Sequence, residues 1–226
     1  MKLLRRGPAA DIAYALLLAS AVSMLLYVLT IQRMDQVLFT YLPTNLVLAW
    51  IPLALAIWLG RILRDQLWSS WRALFVTSLW LIFLPNSFYV ITDLIHLKEV
   101  YSGDLVATSV AFFAFALTGL LLGYTSVYLV HQRLRERMSG LAALGYVAVV
   151  LLVCSLAIYI GRDLRWNSWD VMLSPAGLLF DLSARLIHPS EYRTVFAVAG
   201  GFFILLFGVY AALLRGIRAA AKSPLL

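Results

Sequence analysis

Apolar residues run along this chain in long, nearly unbroken stretches, without the short alternating pattern of a half-buried strand. Six stretches qualify as membrane spans: residues 11–31, 39–60, 72–91, 105–130, 141–161 and 194–214. A helix rises 1.5 Å per residue, so about 20 apolar residues cross the hydrocarbon core. Hydrocarbon offers no partner to a free backbone N–H or C=O, which makes each stretch a predicted helix. The dyad pattern of a lipid-exposed barrel strand is absent. The expected fold is all-α, a polytopic bundle of six spans that takes up residues 1–226 as one integral membrane domain.

Composition agrees. Of 226 residues, 63% are hydrophobic and 13% charged, against about 25% charged in soluble domains. Mean hydropathy is +0.90. A soluble enzyme, a disordered tail and a disulfide scaffold are excluded. The single cysteine, Cys154, lies in an apolar run and reads as small core filler. The first stretch follows Lys2, Arg5 and Arg6 and contains Ala19-Ser20-Ala21, both features of a cleaved signal. Its apolar run continues to Ile31, beyond the core of a signal peptide, so it is expected to stay as a span.

The net charge of +7 is a topology signal more than a nucleic-acid one. With the N-terminus in the cytoplasm, twelve of the 18 basic residues fall on inner segments and six on outer ones. The positive-inside rule favours that arrangement, with both termini cytoplasmic. No acidic or basic residue occupies the middle of a span; Asp11, Arg72 and His131 are at the ends, His131 as part of a basic cytoplasmic loop with Arg133, Arg135 and Arg137. This argues against an ion-coupled pump. Small residues, Ala15, Ala19 and Ser23 in the first span and Gly119 and Gly123 in the fourth, are expected to let helices pack closely within the bundle.

Eight of the eleven acidic residues gather on the predicted outer side, with three features. The first follows Pro85, which is expected to kink or break the third span. If a helix resumes there, Asn86, Tyr89, Asp93 and His96 share an arc of roughly 80° at 100° per residue. Asp93 and His96 are then candidates for general base and orienter, or for two metal ligands; a wet polar helix end is the plain alternative. The second feature is Gly161-Arg162-Asp163-Leu164-Arg165-Trp166-Asn167-Ser168-Trp169-Asp170. Its two guanidinium forks suit phosphate or carboxylate, and its two tryptophans suit the interface; Arg162 and Arg165 serve equally well as structural partners of Asp93, Asp163 or Asp170. The third is residues 174–188, with Ser174 and Pro175 as a start signal, which reads as a short interfacial amphipathic helix between the fifth and sixth spans. No nucleotide-binding, serine-hydrolase or zinc-protease motif is present, so no motif requires a cofactor.

Leu84-Pro85-Asn86, Tyr89 and Thr92-Asp93-Leu94-Ile95-His96-Leu97, then Gly161-Arg162, Leu164-Arg165 and Asn167-Ser168-Trp169-Asp170, resemble the bacterial membrane family called domain of unknown function 1361. Asn45-Leu46 and Leu48-Ala49-Trp50-Ile51-Pro52 resemble it as well, so the likeness spans residues 40–215. Asp163 stands where the family has an apolar residue, which weakens a catalytic role for it. The resemblance implies a multi-pass protein of the bacterial plasma membrane and supplies no mechanism.

The sequence thus points to an outward-facing polar pocket walled by Asn45, Asn86, Tyr89, Asp93, His96, Arg162, Arg165, Asn167 and Asp170. Three uses compete: binding a lipid headgroup or similar anion, catalysis on a lipid-linked substrate with Asp93 and His96 as the reacting pair, and a structural latch with function in partner binding. Metal dependence is open. Membrane lipids are the expected partners and nucleic acid is not.

Overall fold

The computed structural model describes residues 8–34, 39–100, 104–163 and 193–221, with isolated positions between 173 and 183. The described residues form six α-helices: α1 (Pro8–Met34), α2 (Tyr41–Asp65), α3 (Trp71–Tyr89), α4 (Leu105–Arg135), α5 (Gly140–Asp163) and α6 (Arg193–Ala220). A 3-10 helix, Val90–Glu99, continues α3. All six are long and apolar enough to cross a membrane. These helices fall on the six predicted stretches, and most run past them by a few residues. Apolarity ends where the hydrocarbon ends; the helix carries on into the headgroup layer until a cap or a breaker stops it. Ser70 caps α3, its side chain accepting from the Ala73 N–H at 3.3 Å, and Ser139 does the same for α5 through Ala142 at 3.2 Å. The expected interfacial helix at 174–188 lies largely outside the described residues.

The helices group into two compact units, 1–126 and 127–226, with the division inside α4. In the first unit, α2 and α3 make the most extensive helix pair. Leu42, Leu46, Ala49, Leu53, Ala56, Leu59 and Leu63 recur at three- and four-residue steps and form the buried stripe of α2. Ala73, Val76, Trp80, Phe83, Leu84, Ser87 and Phe88 do so on α3. Between apolar helices in lipid, polar side chains act as glue. Ser87 donates to the Ala49 carbonyl at 2.9 Å. Trp80 Nε1 donates to Ser126 Oγ at 2.7 Å, and Ser126 donates to the Pro52 carbonyl at 3.0 Å, which ties α2, α3 and α4 together. Ser23 and Thr118 hydroxyls bond α1 to α4 at 2.9 Å.

The glycines of α4 permit the tightest contact. A Cβ on Gly119 would come within 2.7 Å of the Ser87 carbonyl oxygen, and one on Gly123 within 2.8 Å of the Phe88 ring. Both therefore serve packing inside the bundle, as expected. The proposed small face of α1 is only partly right. Ser23 is buried and Ala19 half-buried, but Ala15 is exposed; the inward row is Leu16, Ser23, Tyr27 and Thr30.

In the second unit α5 packs on α6. Ala143, Val147, Leu151, Cys154 and Ile158 are buried on α5, and Val195, Ala199, Leu206, Tyr210 and Leu214 on α6. Many large apolar side chains are exposed in both units, among them Leu17, Val47, Phe113 and Ile204. Surface of that kind is a liability in water and is what contact with lipid tails requires.

Candidate functional site

Pro85 does not end α3. The helix carries its ring and runs on to Tyr89, and the change comes at Val90, where the backbone tightens to three residues per turn. Ten residues is long for such a helix, and stretches of this kind often mark functional segments. The tightening alters which side chains align. At three residues per turn, i and i+3 eclipse, so Val90, Asp93, His96 and Glu99 form one row. The predicted stripe at 100° per residue is replaced by this row, with Asn86 and Tyr89 on the preceding α-helical turn, both half-buried.

The row runs from inside to outside. Val90 and Asp93 are 1% and 2% exposed. The side chains of His96 and Glu99 are 26% and 52% exposed. Asn45, in the first turns of α2, donates from Nδ2 to Asp93 Oδ2 at 2.8 Å. A carboxylate held out of water costs several kcal/mol unless donors surround it, and the Asn45 amide is one of them. Thr92 turns its hydroxyl back onto the Tyr89 carbonyl at 2.7 Å, a local bond that holds the junction between the two helix types.

His96 meets Glu99 at 2.9 Å through Nδ1, and the Tyr41 ring lies against the imidazole with centroids 5.1 Å apart. Tyr41 in turn touches Phe39, whose φ of 58° is the positive value among the non-glycine residues described. Backbone strain of this sort persists where packing over-determines it, here by the Phe112 ring at 5.1 Å. Glu99, Tyr41 and Phe39 were not among the sequence candidates. The i, i+3 spacing of His96 and Glu99 was the available signal for Glu99; the aromatic contacts depend on how α2 meets the 3-10 helix.

Chemically, the cluster is rich in acceptors. A carboxylate that accepts from Nδ1–H selects the tautomer in which Nε2 carries the lone pair. Asp93 accepts from the Asn45 amide of α2. Among the described residues no three histidine, cysteine or carboxylate side chains gather in a metal-binding group. Of the remaining sequence candidates, Arg162 is half-buried in the last turn of α5, in the second unit. Arg165, Asn167 and Asp170 lie outside the described residues.

His131 corrects the sequence reading. It was placed in a basic cytoplasmic loop; α4 continues through it to Arg135, and it is fully buried. Its Nδ1 bonds the Tyr210 hydroxyl of α6 at 2.6 Å. Hydropathy falls at Val130, and an imidazole that finds a partner 79 positions away leaves no local trace.

Neither the characterised proteins nor the solved structures contain a match to this chain. A sequence model does match: residues 44–207, which hold the α2 stripe from Leu46 onward, the whole Asn45–Asp93–His96–Glu99 cluster and Arg162, fit the family described as protein of unknown function (DUF1361). The match covers well over half of the chain, and the chain belongs to that family.

Proposed function

We propose that this integral membrane protein resides in a bacterial plasma membrane, with both termini cytoplasmic, and holds the polar headgroup of a lipid at the outer end of α2 and α3. The observation that carries the reading is the buried Asp93 carboxylate held by Asn45, on a row that emerges through His96 and Glu99. Such a row of acceptors at the end of membrane-spanning helices suits hydroxyl or ammonium donors of a headgroup. The anionic part of the reading rests on the sequence alone, on Arg162 and Arg165.

Native mass spectra of the detergent-purified protein test it. The wild type is expected to carry a defined lipid adduct that Asp93→Asn loses while its unfolding midpoint stays close to that of the wild type. Arg162→Ala/Arg165→Ala tests the anionic part in the same way. Equal adducts on wild type and Asp93→Asn overturn the reading. A second reading, an enzyme acting on a lipid-linked substrate, is favoured by the His96–Glu99 pair. It expects the adduct to change mass with time on the wild type and to persist unchanged on His96→Gln. A wild type whose bound lipid never changes removes it.

A further inference from the structure

The buried His131–Tyr210 pair has surroundings that the first site does not explain. On α4, Arg135 follows His131 by four residues, which places both on one helix face. On α6, Arg218 follows Tyr210 by eight, again on one face. Both guanidiniums are near enough to act electrostatically on His131 and on Tyr210 alike. Both arginines are exposed. Among the described residues neither has a carboxylate partner: the one contact of Arg135 is with Gln132 at 3.4 Å, and the nearby Glu136 is bonded by Arg133 at 2.9 Å. His131 Nε2 is buried without a hydrogen-bond partner. Two cations thus act on one buried imidazole, and among the described residues no carboxylate pairs with either.

We propose that Arg135 and Arg218 form a phosphate site at the end of α4 and α6, positioned by the His131–Tyr210 bond and filled by the phosphate of an anionic phospholipid. Guanidinium forks match phosphate oxygens two at a time. The arginines end two membrane-spanning helices, so their natural level is that of the headgroups. The positive-inside count puts this end in the cytoplasmic leaflet, where anionic headgroups attract basic side chains. This site is independent of Asp93 and its neighbours.

The test uses the full-length protein in mixed micelles holding phosphatidylglycerol and phosphatidylcholine, read by native mass spectrometry. The wild type is expected to retain phosphatidylglycerol. Arg135→Gln/Arg218→Gln should lower the retained fraction by roughly tenfold or more, from about 1 kcal/mol per basic group near an anionic surface. Arg61→Gln/Arg64→Gln, an exposed pair on α2, serves as control and should change it little. Tyr210→Phe should weaken retention without removing a charge. Excess inorganic phosphate separates two sources: if it displaces the lipid and appears as an adduct, free phosphate fills the site; if the lipid stays, the headgroup does. Equal losses in the two arginine pairs would show only general charge attraction and overturn the proposal. So would wild type and Arg135→Gln/Arg218→Gln that retain the same lipid.

Discussion

Asp93 is a carboxylate whose place in the protein depends on an amide 48 positions earlier in the chain. Losing a donor to a buried group costs about 1–3 kcal/mol, more when the group is charged. Asn45→Ala is therefore expected to destabilise the protein by about that amount, measured as a lowered unfolding midpoint in detergent. In an Asp93→Asn background the same Asn45→Ala change should cost less, because the group left behind is neutral. Equal costs in both backgrounds would deny that the bond carries the effect. Tyr210→Phe asks the same of His131. Nothing fills the space of the lost hydroxyl, and the buried imidazole then has no hydrogen bond at either nitrogen. The expected loss is again about 1–3 kcal/mol. Asn45, Asp93 and His96 were legible as chemistry in the sequence, since polar groups next to long apolar runs stand out. Their pairing was not. Asn45 with Asp93 and His131 with Tyr210 are joined across distance by packing, and no local pattern encodes it.

The helices themselves were legible because hydrocarbon leaves the backbone no alternative. What escaped was pitch. Whether the segment after Tyr89 runs at 3.6 or 3.0 residues per turn is not encoded locally, because the sequence of residues 90–99 suits both. The glycines give this scale its sharpest prediction. Gly119→Ala and Gly123→Ala each push a methyl into a contact below 3 Å, one against backbone and one against a buried ring. Neither neighbour yields cheaply, so each should destabilise by about 1–3 kcal/mol. Gly208→Ala on α6 adds its methyl where nothing lies within 4 Å. It should shift stability by no more than about 0.5 kcal/mol. Thermal unfolding of the three variants in one detergent checks the contrast. A Gly208→Ala variant as damaged as Gly119→Ala would mean that glycine is needed for flexibility and not for close approach.

The orientation of the whole molecule turns on charge, not on packing. Six spans return the chain to its starting side, so one loop's location fixes all the others. Twelve basic residues against six favour the arrangement in which the segment after α3 is outside and the segment after α4 is inside. The lone native thiol makes this testable, because Cys154 is buried and 1% exposed and should not react with a bulky reagent. Lys98 and Arg137 are exposed, and the charge count predicts them on opposite sides. In intact cells, a membrane-impermeant maleimide should label Lys98→Cys and leave Arg137→Cys untouched until the cells are permeabilised. The reversed pattern would invert the molecule. It would move the Asp93 cluster to the cytoplasmic leaflet, where a headgroup or substrate made in the cytoplasm reaches it, and would place Arg135 and Arg218 outside, away from the leaflet that is richest in anionic headgroups. Both functional readings therefore hang on one sign, and Arg135 and Arg218 are themselves among the basic residues that set it.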